Sequence, residues 1–460
     1  MHIHHSSIPG VQWPAIPKPY AASKLAVLFQ LEQTQWWPEE RIREFQFRQL
    51  ARVVEHACHS VPFYRKRFAD AGLDPARVAT PDCWSRLPLL SRTDVQDAGT
   101  ALHAEKVPKQ HGRIGQVLTS GSTGRPIAAL NTELTQFFWR VLTLRDHLWH
   151  KRDFRRSFAA IRDTDSPQAK PPEGKRADNW GDATRDVVAT GPAALLTVHS
   201  SLDQQADWLM RHNPSYLLCY PSALLALARH FQSTGQKLSE LREVRAFGEV
   251  LEPECRSMCR EAWDVPIVDM YSSQEVGYLA LQCPEHEHYH VQSEGALVEI
   301  VDEEGRQCGP GQIGRVVVTT MHNFAMPLLR YELGDYVEVG EPCTCGRGLP
   351  VLKRILGRKR NMFTLPDGRQ RWPAFELDPT RAFVASLPVR QYQVIQRNPE
   401  QIEILVVAYR PLSETEEMGV REMVVKGLDY PFRITFTYVD EIPRTPGGKF
   451  EDFRSDVARH

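Results

Sequence analysis

The sequence lacks long apolar runs and an excess of charge of either sign. None of its 460 residues lie in an uninterrupted hydrophobic segment of the length needed to cross a bilayer, about 20 residues. The first twenty residues also lack the apolar core of a signal peptide. Because 56 Lys and Arg residues oppose 57 Asp and Glu residues, we expect no nucleic acid partner. These absences predict a cytoplasmic protein with no membrane span.

Cysteine is present but is odd in number and irregular in spacing. Nine cysteines in this pattern argue against a disulfide framework and favour reduced thiols, with a metal cluster as a further use. One run, Cys283-Pro284-Glu285-His286-Glu287-His288-Tyr289-His290, and a second, Cys343-Thr344-Cys345, together offer three thiolates and three imidazoles. Tetrahedral zinc needs four such ligands. The residues alone leave open which histidine would take part.

The hydrophobic periodicity predicts an α/β fold. Apolar residues recur at helical spacing over residues 40–59, which indicates an amphipathic helix. Between residues 213 and 271, strand-like runs alternate with helical segments that begin at Pro221 and Pro253, and this βαβαβ order predicts a parallel sheet covered by helices. Alternating runs over residues 296–320 predict antiparallel strands, which we expect to form a small barrel-like part. Residues 163–182 are expected to form a mobile surface loop.

A smaller α+β unit is expected at the C-terminal end of the chain. Two strand-like runs separated by Asn398-Pro399 precede a helix whose start carries the capping-box pair Ser413 and Glu416. A last strand-like run follows that helix. We therefore predict a large N-terminal domain, residues 1–357, and a small C-terminal domain, residues 358–460.

A run rich in glycine and hydroxyl side chains follows Leu118. A phosphate site needs close backbone approach, N–H and O–H donors and positive charge, and this run supplies all three. It is not a P-loop, which requires Gly-x-x-x-x-Gly-Lys followed by Ser or Thr. The candidate phosphate-binding residues are Thr119, Ser120, Gly121, Ser122, Thr123, Gly124 and Arg125.

Further runs follow this loop in a characteristic order. They are Tyr271-Ser272-Ser273-Gln274-Glu275-Val276-Gly277, Arg330-Tyr331-Glu332-Leu333-Gly334-Asp335, Gly357-Arg358-Lys359-Arg360-Asn361 and Pro443-Arg444-Thr445-Pro446-Gly447-Gly448-Lys449. Taken together, the ordered set resembles the adenylate-forming superfamily of acyl-CoA synthetases, luciferases and peptide-synthetase adenylation domains. More narrowly, it resembles the phenylacetate-coenzyme A ligase branch. The resemblance covers residues 56–449, nearly the whole chain.

The resemblance implies where the nucleotide would bind. Tyr271 would lie near adenine, and Asp335 would accept hydrogen bonds from both ribose hydroxyls, as a carboxylate with two acceptor oxygens can. Gln274 stands where the superfamily usually has threonine. The implied ATP- or AMP-binding residues outside the glycine-rich loop are Gly248, Glu249, Tyr271, Ser272, Gln274, Asp335 and Arg358.

The resemblance also implies three catalytic residues and a hinge. Glu275 would hold Mg²⁺, since a carboxylate suits a hard divalent cation that bridges phosphates. Arg358 would contact the nucleotide. Lys449 would neutralise the substrate carboxylate and the bridging phosphate oxygens as the α-phosphate is attacked. Arg360 takes the pivot position of the hinge, in place of the usual acid, so that the C-terminal domain would swing as a mobile lid.

Members of the branch share the Cys/His pattern described above. By position in the sequence, the resemblance implies a structural Zn²⁺ held by Cys283, His290, Cys343 and Cys345, with His288 and His286 as alternatives to His290.

The function implied is ATP-dependent activation of a carboxylic acid to acyl-AMP, with release of pyrophosphate, followed by transfer to coenzyme A. Residues 366–373 depart from the glycine-containing stretch that is common in thioester-forming members, so a carrier-protein thiol or an amine stays open as the acceptor. Gln274 and the missing hinge acids leave open a nucleotide-binding module without turnover. Aryl and fatty acids both remain candidate substrates, and a second copy of the chain is a candidate partner in a homodimer.

Overall fold

The computed structural model describes residues 6–118, 127–358, 362–371, 387–444, 448–450 and 453–457. The α-helices in these residues are α1 (Pro19–Thr34), α2 (Glu39–Ser60), α3 (Pro62–Asp70), α4 (Pro75–Val78), α5 (Arg92–Ala98), α6 (Glu133–Trp149), α7 (Leu202–His212), α8 (Pro221–Thr234), α9 (Pro253–Trp263) and α10 (Glu414–Leu428). None of these helices is both long and apolar enough to span a bilayer.

The strands of the N-terminal part come first in the chain. They are β1 (Ile114–Leu118), β2 (Ala128–Thr132), β3 (Phe158–Arg162), β4 (Lys175–Ala177), β5 (Ala193–Thr197), β6 (Tyr216–Cys219), β7 (Glu243–Phe247), β8 (Ile267–Ser273), β9 (Gly277–Gln282), β10 (Tyr289–Val291), β11 (Ala296–Val301), β12 (Ile313–Thr320), β13 (Tyr331–Val339) and β14 (Val351–Arg358). The C-terminal part contains β15 (Phe363–Thr364), β16 (Gln370–Arg371), β17 (Val389–Asn398), β18 (Gln401–Ala408), β19 (Arg433–Tyr438) and β20 (Phe453–Ser455).

One large sheet joins a parallel half to an antiparallel half. Its order is β11-β12-β13-β14-β10-β9-β8-β7-β6-β3-β5-β4. Strands β5, β3, β6, β7 and β8 pair in parallel, and α8 and α9 connect β6 to β7 and β7 to β8. The predicted βαβαβ unit and the α/β fold class are therefore confirmed. The antiparallel strands, expected as a barrel-like part, continue the same sheet from β9 to β11.

Local sequence signals account for the ends of two helices near the site. Pro221 occupies the first turn of α8, where its missing N–H is no loss, and Gly235 ends the helix with a left-handed φ of 68°. In α10, the Ser413 side chain accepts a hydrogen bond from the Glu416 N–H, and the Glu416 carboxylate accepts one from the Ser413 N–H. The capping box predicted from the sequence is confirmed.

The segment 163–182 differs from the expected surface loop. It contains a 3₁₀ turn at Pro167–Ala169 and the strand β4, which pairs with β5 at the edge of the large sheet. Near its end, the ring of Trp180 packs at 5.4 Å from Phe158 and 5.2 Å from Tyr216. A polar composition suggested a loop, but the Trp180 ring, the pairing of β4 with β5 and the hydrogen bond from Trp208 to the Glu173 carbonyl hold the segment in place.

The C-terminal residues have a hydrophobic core of their own. Phe363, Val394 and Ile402 are buried together with residues of α10, in a cluster separate from those of the large sheet. The C-terminal sheet has the order β19-β18-β17-β20. A separate core is the physical mark of a domain.

A buried ion pair fixes α6 to the N-terminal helices. The Arg145 guanidinium is fully buried and donates two hydrogen bonds to the Glu294 carboxylate, each 3.0 Å long. It also donates to the backbone carbonyl of Leu31 in α1, at 2.6 Å, and to the Gln292 side chain, at 2.9 Å. The interaction therefore links three distant parts of the chain.

Replacing Arg145 with methionine is expected to lower the free energy of unfolding by about 3–5 kcal/mol, because the buried Glu294 carboxylate loses its charged partner. Urea denaturation followed by circular dichroism measures the change. The matched control is Arg48→Met, which removes an exposed pair with Glu44 on α2 and should cost less than about 0.5 kcal/mol. Equal losses of unfolding free energy in the two variants would show that the buried Arg145–Glu294 pair stabilises the fold no more than the exposed pair does.

Candidate active site

The predicted catalytic and nucleotide-binding residues that the structure describes line one cavity. It has a volume of about 1700 Å³ and lies between the large sheet and the C-terminal domain. The residues brought together are Gly248, Glu249, Tyr271, Ser272, Gln274, Glu275, Asp335, Arg358 and Lys449. The predicted phosphate loop, Thr119, Ser120, Gly121, Ser122, Thr123, Gly124 and Arg125, and the predicted pivot Arg360 lie outside the described residues. The strands that flank this loop, β1 and β2, pair with each other in antiparallel register.

Asp335 is held by two neighbours, of which one, Arg358, is on the adjoining strand β14. The Tyr271 hydroxyl, at the end of β8, donates a hydrogen bond of 2.7 Å to Asp335 Oδ2. Arg358 pairs with Asp335 across β13 and β14, and its Nε lies 3.4 Å from Asp335 Oδ1. Burial, followed by the Asp335 carboxylate, raises the pKa of Tyr271 well above its usual value, so the phenol keeps its proton and acts as the donor. The carboxylate is thereby fixed at the cavity wall.

Glu275 lies in the tight turn between β8 and β9. Its side chain is only 8% exposed, and Arg92, at the start of α5, places Nη1 3.9 Å from the Glu275 carboxylate. Arg92 lines the same cavity and was not found from the sequence. The sequence around Arg92 signals a helix start through the capping box of Ser91 and Asp94, but nothing local indicates that this helix meets Glu275.

Lys449 reaches the cavity from the C-terminal domain. A Cβ atom added to Gly248 would lie 3.6 Å from Cε of Lys449, so the lysine crosses directly over this glycine. Burial and then the Arg358 cation lower the pKa of Lys449, while the carboxylates of Asp335, Glu249 and Glu275 raise it. The lysine therefore lies in the field of the carboxylates at the cavity wall, where a negatively charged phosphate would need a cation.

Glu249 contacts protein groups as well as lining the cavity. Its two carboxylate oxygens accept hydrogen bonds from the backbone N–H groups of Ser222, at 2.9 Å, and Phe450, at 2.5 Å. Burial raises the pKa of Glu249, against the opposing effect of Arg444. The sequence indicated a nucleotide-side loop at this position and gave no signal of the contact with Phe450.

One part of the cavity wall is aromatic. Trp139 packs against Tyr278 at 4.8 Å, and Phe247 stacks on Tyr220 at 4.5 Å. Phe158 and Trp180 line the same cavity. This wall offers an apolar surface for the organic part of a substrate, and its residues come from segments too scattered for a sequence motif to mark them.

A second cluster lies outside the cavity, where β10 meets the turn before β14. The ligand atoms of Cys283, His288, His290 and Cys343 all lie within 4.8 Å of one another. The two sulfurs are 3.9 Å apart, close to the edge of a tetrahedron with Zn–S bonds of about 2.3 Å. Nε2 of His288 is buried and has no hydrogen-bond partner among the described residues. This donor set fits a tetrahedral metal ion.

The fourth predicted metal ligand, Cys345, lies beside this cluster. Its sulfur is 3.4 Å from Nε2 of His290 and accepts a hydrogen bond from Arg347. Nδ1 of His290 is 3.4 Å from the Leu349 carbonyl, a contact that orients the ring with Nε2 toward the sulfurs. The structure thus brings these four residues together, and His288, which the sequence offered as an alternative to His290, lies with them as a fifth donor.

Comparison with known proteins shows which families and enzymes the chain resembles. The profile described as AMP-binding enzyme matches residues 188–326, and the profile described as CapK C-terminal domain matches residues 381–455. The phenylacetate-coenzyme A ligase of Thermus thermophilus is 26% identical over 90% of this chain and 96% of its own length. Protein CapK of Staphylococcus aureus is 25% identical over 52% of this chain and 53% of its own length.

The fold is shared with a solved ligase. The crystal structure of 2-hydroxyisobutyryl-CoA ligase in the postadenylation state superimposes with a TM-score of 0.72 at 18% identity, covering 93% of this chain and 92% of that one. The same ligase in the thioesterification state gives a TM-score of 0.59. The chain is thus similar to adenylate-forming enzymes in its ordered motifs, its profile match and its fold, and over nearly its whole length it is similar to a phenylacetate-coenzyme A ligase.

Proposed function

We propose that this chain is an AMP-forming acid–coenzyme A ligase. It joins a carboxylic acid to ATP as an acyl-AMP and then transfers the acyl group to coenzyme A. The observation that carries the proposal is the position of Lys449, which the C-terminal domain delivers to the cavity wall that holds Asp335, Arg358 and Glu275. The nearly full-length similarity to a phenylacetate-coenzyme A ligase supports the same reaction.

The first step is attack by a carboxylate oxygen of the acid on the α-phosphorus of ATP. A P–O bond forms to the acid, the bond to the β-phosphate oxygen breaks, and pyrophosphate leaves. Lys449 neutralises the carboxylate and the α-phosphate oxygens as they approach, and Asp335 holds the ribose by accepting hydrogen bonds from its two hydroxyls. Glu275 is the residue that would hold Mg²⁺, which supplies charge neutralisation to the phosphates.

The second step is attack by the thiol of coenzyme A on the acyl carbonyl carbon. The thioester forms, the thiol proton is released, and AMP leaves with the electron pair of the broken C–O bond. Neither step needs a protein nucleophile, because positioning and charge neutralisation carry phosphoryl and acyl transfer here.

Acid-dependent exchange of pyrophosphate into ATP tests the first step. We expect exchange with at least one member of a panel of aryl and alkyl acids, and none without acid. ATP binding without exchange across the whole panel would contradict the ligase and support a nucleotide-binding module. Offering coenzyme A, a phosphopantetheinyl carrier protein and simple amines to the acyl-AMP then separates the acceptors, and we expect coenzyme A to react fastest.

Replacing Asp335 with alanine is expected to raise the KM for ATP by about 10- to 100-fold, because a charged acceptor of two hydrogen bonds is lost. The KM for the acid should change little. The control is Asp302→Ala, which alters an exposed turn between β11 and β12 where Asp302 pairs with Arg306. A rise in both KM values, or an equal effect of the control, would contradict the ribose contact.

We place the domain boundary after residue 357, with Arg360 as the pivot of a mobile lid. Strand β14 pairs with β13 as far as Arg358, and Phe363 already packs in the C-terminal core. These two observations support a connection of a few residues between the domains. The cytoplasmic location and the homodimer stay predictions.

We also propose that Cys283, His290 and Cys343 hold a structural Zn²⁺, with Cys345 as the fourth ligand. Support comes from the spacing of the sulfurs and the orientation of His290. The ion would join the β9–β10 connection to the turn before β14 and has no part in the chemistry of the cavity. His288 is the competing fourth ligand, because it belongs to the set of four donors that lie within 4.8 Å of one another.

A further inference from the structure

The C-terminal domain contacts helix α8 at two places. At the first, Arg229 donates hydrogen bonds of 3.2 Å to the backbone carbonyls of Val389 and Arg390, where β17 begins. Its other terminal nitrogen donates to Glu254 of α9. Arg229 is 12% exposed and Glu254 is 18% exposed, so this contact is largely shielded from water.

The second contact lies at the start of α8. The Phe450 N–H donates to Glu249, whose other oxygen accepts from the Ser222 N–H. Arg444 donates a hydrogen bond of 2.9 Å to the Ser222 hydroxyl and places Nη1 3.7 Å from the Glu249 carboxylate. The Glu249 side chain is 7% exposed, so a backbone amide and a cation of the C-terminal domain are held by a buried carboxylate of the large domain.

The two contacts belong to one face of the helix. Ser222 and Arg229 are seven residues apart, about two helical turns, and residues at this spacing project from the same side. Phe450 is the neighbour of Lys449 in the chain. Fixing the Phe450 amide therefore fixes the backbone from which the lysine reaches the cavity.

We propose that Ser222, Arg229 and Glu249 form a docking clasp that positions Lys449 for adenylation and releases it before acyl transfer. The inference rests on the proposed function and adds to it the residues that hold the lid in its adenylating orientation. Arg229 and Ser222 are positioning residues, since they act through Lys449 and do not line the cavity with it.

We infer that the clasp opens for the second step, because the docked segment is packed closely against the large domain. A Cβ atom added to Gly448 would lie 2.7 Å from Val198 and 3.1 Å from Asp163, so this part of the C-terminal domain is packed tightly against the large domain. In this proposal the segment moves before coenzyme A reaches the acyl-AMP. Contacts that stabilise the docked state therefore favour the first half-reaction and oppose the second.

The test is Arg229→Met in the full chain, with the two half-reactions measured separately. Losing two hydrogen bonds from a charged donor should lower kcat for acid-dependent pyrophosphate exchange about tenfold, with the KM for ATP unchanged. Thioester formation from supplied acyl-AMP and coenzyme A should be unchanged or faster. Arg229→Lys, which keeps the charge with a single donor group, should recover part of the exchange rate.

Arg260→Met is the matched control, because Arg260 lies on α9, is 68% exposed and has no hydrogen bond or ion pair to the described residues of the C-terminal domain. It should leave both half-reactions at the wild-type rate. If Arg229→Met does not fold, Ser222→Ala serves instead, because it removes only the hydroxyl that accepts a hydrogen bond from Arg444. We again expect slower pyrophosphate exchange with thioester formation unchanged or faster. An equal loss in both half-reactions, in a folded variant, overturns the clasp. Failure of the proposed function is seen separately, as absent exchange in the wild-type protein.

Discussion

Replacing Lys449 with alanine is expected to abolish acyl-adenylate formation and to spare thioester formation from supplied acyl-AMP. The end of the Lys449 side chain passes over Gly248, with Cε 3.6 Å from a Cβ atom added there, and the ammonium lies in the field of the carboxylates of Asp335, Glu249 and Glu275. Once ATP and the acid enter, it is a cation placed where two anions must approach each other. Removing it should lower kcat for pyrophosphate exchange by on the order of 10³-fold, the scale seen when one transition-state cation or donor is lost.

Measuring the two half-reactions separately provides a control for this prediction. Acyl-AMP already carries the P–O bond whose formation needs Lys449, so the second step should proceed at close to the wild-type rate. Lys426→Ala, an exposed lysine on α10 in the same domain, should change neither step. An equal loss of both half-reactions in Lys449→Ala would mean that the lysine supports the fold of the lid rather than the chemistry.

Much of the site was predictable because its residues stand in short runs with a fixed order. Tyr271, Glu275, Asp335, Arg358 and Lys449 were each assigned from such runs, and all of them line one cavity. Their assignment needed no knowledge of packing. The nucleotide roles themselves stay predictions.

What the sequence could not predict depends on contacts between distant positions. Phe450 binds Glu249 across 201 residues of the chain, and Arg92 lies 3.9 Å from Glu275, which is also far from it in the sequence. Neither pair has a local pattern, since a backbone amide leaves no trace in the sequence and an arginine at a helix start has many other uses. Likewise, segment 163–182 looked like a loop because the packing of Trp180 is decided by Phe158 and Tyr216, which come from other strands.

The fold shows the same division between local and non-local information. Alternation and helix-start signals predicted β6, α8, β7, α9 and β8. They did not predict that β9, β10 and β14 would join this parallel unit to the antiparallel strands in a single sheet. That continuity depends on backbone hydrogen bonds between segments about 60 residues apart, such as the pairing of Tyr289 with Leu352.

Replacing Cys283 with serine is expected to remove one zinc ion per chain and to destabilise the protein by several kcal/mol. The cluster ties the β9–β10 connection to the turn before β14, and Arg347 of that turn stacks on Trp36 and Trp149. Loss of the ion would therefore loosen the junction between α6, the sheet and the segment that follows α1. Binding energies of structural zinc in small peptides, about 10–16 kcal/mol, set an upper bound on the effect.

Metal content by mass spectrometry and the thermal unfolding midpoint measure this prediction together. Cys343→Ser and His290→Ala should act like Cys283→Ser, and a chelator should lower the midpoint of the wild type but not of these variants. Cys83→Ser, which changes a cysteine distant from the cluster in the chain, should keep both the zinc and the midpoint. Loss of zinc from Cys345→Ser with retention in His288→Ala identifies Cys345 as the fourth ligand, and the reverse identifies His288. Wild-type protein that takes up no zinc, or Cys283→Ser that keeps a full equivalent, would contradict the site, because two sulfurs and an oriented imidazole would then converge without a metal to hold.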